Sequence, residues 1–101
     1  MSTVIWERDG TTVWAALKTN GDLEIAGQTL SARSENEYWL TVKAADVDKV
    51  TAALGGAPGS NVVGLLRANA EDVVRVGEKT WLANNSIPIE FWSHFDPPDF
   101  D

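Results

Sequence analysis

The sequence contains no cysteine, one histidine and one tyrosine among its 101 residues. Without cysteine, disulfides, thiolate nucleophiles and cysteine-ligated zinc sites are excluded. One histidine does not by itself assemble a transition-metal site, so we expect neither a metal nor another cofactor. Because small secreted domains usually depend on disulfides, the absence of cysteine also favours a cytoplasmic protein.

Long apolar runs are also missing. No stretch of about 18 apolar residues occurs, so the sequence predicts no membrane-spanning helix. The first nine residues, MSTVIWERD, lack the basic segment and the long apolar stretch of a signal peptide.

Basic residues are few and scattered. Eight lysines and arginines stand against 15 acidic residues, giving a net charge of −7, and they are dispersed from Arg8 to Lys79. Binding to a phosphate backbone requires clustered positive charge, so we do not expect a nucleic-acid partner. An acidic surface favours a basic protein partner through electrostatic steering, although solubility alone would also account for the charge.

What is present is typical of one folded domain spanning residues 1–101. Hydrophobic residues make up 44% of the chain and charged residues 23%, which is ordinary for a globular protein. Five tryptophans are many for this length. Each can bury roughly 150–250 Å², which helps a small domain to build a core.

Turn dipeptides and alternating apolar residues predict an antiparallel meander over residues 3–43. The turn signals are Asp9-Gly10 and Asn20-Gly21. The predicted strands cover residues 3–8, 12–18, 22–26 and 37–43, and the polar segment 27–36 is interpreted as a loop.

After residue 44 the apolar period becomes helical, with Val47, Val50 and Leu54 on one face. We predict three helices. The first covers residues 46–54, the second begins after an N-cap at Ser60, and the third covers residues 69–84 and begins with an Asn69–Asp72 capping pair. Residues 87–92 predict a final strand. The fold class is therefore α+β: an antiparallel β-meander of about four strands followed by three short helices and a final strand, with the helices packed on one face.

The predicted core follows from these periodicities. Its expected members are Val13 or Trp14, Leu23, Ile25, Leu40, Val42, Val47, Val50, Leu54, Leu66 and Trp81. Trp6, Trp14, Trp39 and Trp81 lie in periodic segments and are interpreted as core or near-core residues.

Catalytic chemistry finds little support. His94 lies beside a serine and an aspartate, but neighbours in sequence do not make a triad, so a surface histidine is the preferred interpretation. Glu35 and Glu37 share a strand face, yet nothing predicts a cleft around them. The glycine-rich segment 55–60 lacks the lysine of a phosphate-binding loop. We therefore expect no enzymatic activity.

The C-terminal segment combines acidic and aromatic residues. Residues 86–101 contain four acidic and no basic residues, and thus −4 of the net −7 charge; we expect 95–101 to form a loose acidic tail. Aromatic anchors with an acidic rim are typical of a site that binds a basic protein. The candidate partner-binding residues are Glu90, Trp92, His94, Phe95, Asp96 and Asp99.

One further pattern carries a resemblance. The string Asp22-Leu23-Glu24-Ile25-Ala26-Gly27-Gln28 resembles the L-x-I-x-G-Q of a family of small, mostly uncharacterised actinobacterial-type proteins. The similarity extends through the 46–56 segment and the closing Ile-Pro-Ile-Glu-Phe-Trp, over about residues 13–94. It implies a compact cytoplasmic α+β protein and transfers no active site. In size, acidity and lack of catalytic residues the chain is also similar, as a class, to immunity proteins of bacterial toxin systems.

Two functions thus remain open. The leading hypothesis is a non-enzymatic protein-binding protein, most concretely an immunity protein or antitoxin that neutralises a basic bacterial toxin domain by occlusion. The alternative is a small-ligand-binding or regulatory module that uses a crevice between sheet and helices. The sequence leaves the oligomeric state open.

Overall fold

The computed structural model describes residues 2–8, 10–30, 35–57 and 59–96. Within them the chain forms a sheet of five antiparallel strands in the order β1-β2-β3-β4-β5. The strands are β1 (Thr3–Arg8), β2 (Thr11–Leu17), β3 (Leu23–Leu30), β4 (Glu35–Val42) and β5 (Glu90–Asp96). Each strand pairs with the next one in sequence, so the predicted meander and a final strand are confirmed, although β5 begins at Glu90 and not at residue 87.

Short helices fill the segment between β4 and β5 and pack on one face of the sheet. A 3-10 turn (Ala44–Asp46) leads into α1 (Val47–Ala53), which is followed by α2 (Val62–Ala68), α3 (Ala70–Val76) and α4 (Glu78–Asn84). None of the helices among the described residues is long and apolar enough to cross a membrane.

The single helix predicted over residues 69–84 is wrong, because Gly77 divides it into α3 and α4. Gly77 has φ +99° and ψ 125°, a conformation that glycine adopts without the steric cost of a Cβ. One predicted cap is wrong: Asn61, not Ser60, caps α2 by accepting a hydrogen bond from the Gly64 N–H. Asn69 is the N-cap residue of α3, as predicted, but its side chain donates backwards to the Leu65 carbonyl instead of capping the helix.

The β3–β4 hairpin is longer than the sequence predicts. The polar segment 27–36 was expected to be a loop, yet β3 continues to Leu30 and β4 begins at Glu35. Cross-strand pairing supplies the reason, since polar residues such as Gln28 find a ladder partner in Glu37. At Gly27 the ring of Tyr38 lies where a Cβ would be, so the missing side chain makes room for the aromatic partner.

The core lies between the sheet and the helices and consists of aliphatic residues. Its fully buried members are Val13, Leu23, Ile25, Leu40, Val42, Val50, Leu66, Val73 and Leu82. Seven of the predicted core positions are thus confirmed. Val47, Leu54 and Trp81 pack against the core but are only partly buried, because they lie at its margin.

The C-terminal end of the described chain is a strand. β5 continues to Asp96, two residues into the segment predicted as a tail, and residues 97–101 lie outside the described part of the chain. β5 extends to Asp96 because its backbone pairs with β4 as far as Glu35.

Candidate functional site

The face of the sheet opposite the helices, here called the open face, carries three of the five tryptophans of this chain. Antiparallel partners that stand directly opposite point to the same face. Val4 pairs with Trp14, Trp14 with Ala26, Ala26 with Trp39, and Trp39 with Trp92. One row of side chains, called the tryptophan row below, therefore crosses all five strands.

The tryptophan row is accessible to solvent. Trp39 exposes 36% of its surface, Trp92 49% and Val4 42%, while Trp14 is half-buried. The rings of Trp39 and Trp92 contact each other at 4.4 Å between centroids, tilted by 57°. The interpretation of Trp39 as a core or near-core residue is wrong, because its strand turns Leu40 inward and Trp39 outward.

Glutamates border the tryptophan row on both sides. The neighbouring row on one side contains Glu24 and Glu90, and the neighbouring row on the other side contains Glu7 and Glu37. The first side is partly neutralised, since Lys18 Nζ lies 3.2 Å from Glu24 and Lys43 Nζ lies 3.3 Å from Glu90. On the second side, neither Glu7 nor Glu37 forms an ion pair with any residue that the structure describes.

Two shallow depressions lie on either side of Ala26, whose small side chain separates Trp14 from Trp39. Both depressions are lined by Trp14, Ala26 and Trp39. The first, called the Glu24 depression, has a volume of about 190 Å³ and is lined in addition by Glu24 and Ala16. The second, called the Glu37 depression, has a volume of about 250 Å³ and is lined in addition by Glu37, Gly27 and Gln28. Strands two apart in a sheet are separated by roughly 10 Å, so the two indoles stand on opposite sides of a narrow apolar floor.

A third depression of about 230 Å³ lies where α4 meets β4 and β5. Its lining includes Tyr38, Glu78, Lys79 and Phe91. The Tyr38 hydroxyl donates a hydrogen bond to the buried Glu78 carboxylate, and Tyr38 stacks with Phe91 at 6.4 Å. Lys79 Nζ lies 4.3 Å from the centroid of Phe91, a cation–π distance.

The environment of Tyr38 shifts its ionisation. Burial of the ring removes water from the hydroxyl, and the hydrogen bond to Glu78 and its negative charge oppose ionisation further. Together these effects raise the pKa of Tyr38 well above its ordinary value of about 10. Tyr38 is therefore a neutral hydrogen-bond donor at any physiological pH.

The described residues hold no group of three histidine, cysteine or acidic side chains that could bind a metal ion. The aromatic groups of the site come from sheet positions far apart in sequence, and the acidic groups nearest to them are the glutamates of the two flanking rows. This arrangement can bury indole surface against a partner and pair carboxylates with its cations.

The structure brings some predicted site residues to the open face. Trp92 ends the tryptophan row and Glu90 lies in the adjacent row. The backbones of His94, Phe95 and Asp96 pair with Glu37, Asn36 and Glu35. Asp99 lies outside the described residues.

Sequence reasoning did not identify Trp14, Trp39, Glu24 and Glu37 as site residues. The alternation of Trp14 with Val13 and Ala15, and of Trp39 with Tyr38 and Leu40, does indicate outward-facing tryptophans once the inner face is assigned. Their alignment in one row depends on the register of β2, β3 and β4, in which Ala26 pairs with both tryptophans.

Comparison with known proteins found no family model, no curated protein and no solved structure that matches this chain.

Proposed function

We propose that this chain is a non-enzymatic binding protein whose open face binds a basic protein partner. The observation that carries the proposal is the tryptophan row, which places three indoles on an accessible face between rows of glutamates. Tryptophan is among the residues that most often dominate binding energy, and charges around an aromatic centre steer the partner and fix its orientation.

The most concrete form of this proposal is an immunity protein or antitoxin of the cytoplasm that neutralises a basic bacterial toxin domain by occlusion. The net charge of −7 supports a cationic partner. Glu7 and Glu37, which have no ion pair among the described residues, favour the same sign of partner. Occlusion requires only a complementary surface, so the mechanism places no demand on catalytic groups of this chain.

The experiment begins with capture of partners from extract of the native cells, followed by binding measurements with the purified partner. Trp39→Ala should raise the dissociation constant about 30-fold or more, since loss of an interface tryptophan typically costs about 2 kcal/mol or more. Val76→Ala is the matched control, because Val76 is exposed on a helix at 47%. Equal affinity of the Trp39→Ala variant and the unchanged chain would exclude the open face.

The antitoxin form requires a further result. Co-expression of the unchanged chain should rescue cells from the partner's toxicity, and co-expression of the Trp39→Ala variant should not. Rescue by both would mean that the tryptophan row is not needed to neutralise the toxin. The C-terminal residues Phe95, Asp96 and Asp99 stay a prediction, tested by a chain ending at Ser93: an unchanged association rate would remove them from the contact surface.

A second candidate is a small-ligand module, favoured by the depression between α4 and β5. Its Tyr38 and Phe91 rings offer apolar walls, and Glu78 and Lys79 offer polar groups. Its volume of about 230 Å³ lies below the usual range of 300–1,000 Å³ for ligand pockets. A fragment screen read by nuclear magnetic resonance would favour this candidate if shifts cluster at residues 77–80 and spare Trp39.

A further inference from the structure

The two depressions beside the tryptophan row form a natural matched pair. Both are lined by Trp14, Ala26 and Trp39, and each has one glutamate at its border. They differ in the electrostatic state of that glutamate. Glu24 is paired with Lys18 at 3.2 Å, whereas Glu37 forms no ion pair within the described part of the chain.

An uncompensated carboxylate beside two indoles suits one kind of group. A guanidinium is planar and delocalised, stacks on aromatic faces, and is less strongly hydrated than an ammonium. Its parallel N–H groups also match the two oxygens of a carboxylate. Trp14 and Trp39 supply the faces, and Glu37 supplies the carboxylate.

We propose that the Glu37 depression is a binding site for an arginine side chain of the partner. This inference rests on the proposed function and names the chemistry by which the open face recognises its partner. The aliphatic part of the arginine covers the floor at Ala26 and Gly27, the guanidinium lies against the indoles, and its N–H groups donate to Glu37. The Glu24 depression does not bind arginine comparably, because Lys18 already supplies its cation.

The test uses N-acetyl-L-argininamide as probe and the full chain, isotope-labelled for nuclear magnetic resonance. The indole N–H signals of Trp14 and Trp39 report binding. N-acetyl-L-citrullinamide, a neutral analogue of similar shape, and N-acetyl-L-lysinamide serve as reference probes.

We expect saturable shifts of both indole signals with the arginine probe and weaker shifts with the other two. Glu37→Gln should weaken arginine binding about tenfold, because the amide no longer offers the guanidinium a charged acceptor. Glu24→Gln should leave it within twofold. The two substitutions make the same chemical change on opposite sides of the same row, so they control for each other.

The inference would be overturned by the absence of a saturable shift, by equal binding of the citrulline probe, or by an equal effect of Glu24→Gln. A lysine probe that binds as tightly as arginine would overturn the guanidinium assignment. These results are independent of the proposed function, which Trp39→Ala tests with the partner itself. If the partner binds the Trp39→Ala variant less tightly but binds the Glu37→Gln variant unchanged, the arginine site is excluded while the proposed function stands.

Discussion

Leu40 and Trp39 are neighbours on β4 and occupy opposite faces of the same sheet. Leu40 is completely buried under the helices, while Trp39 keeps 36% of its surface exposed. The covered face is closed with valine, leucine and isoleucine, although tryptophan would bury more area per residue. Three of the five tryptophans lie on the open face instead, so the largest apolar side chains of this small domain are not used chiefly to build its core.

The two faces also treat polar groups differently. On the covered side the Glu78 carboxylate is buried and accepts a hydrogen bond from Tyr38. On the open side Glu24, Glu37 and Glu90 are partly or fully exposed, and Glu24 and Glu90 pair with lysines. A buried polar group must form a hydrogen bond because its desolvation is costly, whereas an exposed carboxylate keeps its hydration and needs no partner within the chain.

The largest expected effect is a difference in the free energy of unfolding between substitutions at two adjacent residues, one on each face of the sheet. Leu40→Ala should lower the free energy of unfolding by about 2–5 kcal/mol, because it leaves a cavity in the core. Trp39→Ala should cost less than Leu40→Ala, because its ring lies partly in solvent; part of its cost is the pair with Trp92, worth about 0.5–1.5 kcal/mol beyond the area that the rings bury. Urea denaturation followed by circular dichroism measures both, and equal losses would mean that the open face belongs to the core.

A smaller effect is expected at the polar pair of the covered face. Tyr38→Phe should destabilise the protein by about 1–3 kcal/mol, because the buried Glu78 carboxylate loses its donor. Glu78→Gln keeps an acceptor for the Tyr38 hydroxyl and should cost less. If Tyr38→Phe has no effect on the urea midpoint, the hydrogen bond does not stabilise the fold.

The same pair predicts a pH dependence. The pKa of Tyr38 is raised in the folded state, so above about pH 10 the unfolded chain releases a proton that the folded chain retains. The stabilising contribution is therefore complete below about pH 10 and is lost as the pH rises further. Since Tyr38 is the only tyrosine, tyrosinate absorbance reports it alone. Ionisation near pH 10 while circular dichroism still shows a folded chain would contradict the burial.

The smallest expected effect on stability is at the open face. Lys18→Ala removes an exposed ion pair with Glu24 and should change stability by no more than about 1 kcal/mol. It should, however, leave Glu24 without its cation and open a second arginine site, visible as a second saturable phase with N-acetyl-L-argininamide. A single phase in this variant would mean that Lys18 is not what distinguishes the two depressions.

Local patterns were sufficient for most of the fold. The Asn20-Gly21 signal corresponds to a hairpin in which Gly21 has φ +93°, and alternation along β3 and β4 assigned Ile25 and Leu40 to the buried face. Errors arose where tertiary pairing overrides a local signal. Residues 27–30, predicted as part of a loop, join the ladder because β4 supplies their partners. A helical period across Gly77 does not reveal its positive φ.

The candidate site was predicted only at its C-terminal end, through Glu90 and Trp92. Composition in a continuous segment identified that end, because acidic and aromatic residues lie together in residues 86–101. The remaining members lie on β2, β3 and β4, and nothing in their local sequence distinguishes an outward tryptophan beside a glutamate from an ordinary exposed strand residue.

By itself the sequence determined the order of strands and helices, the buried face of β3, and the sign of the net charge, because these depend on local periodicity and composition. Only the tertiary structure decided the strand register, which aligns Trp14, Trp39 and Trp92 in one row, and the ion pair of Glu24 with Lys18, which has no counterpart at Glu37 among the described residues. A shift of one residue in pairing turns every side chain of a strand to the other face. The site therefore exists only once all five strands are paired.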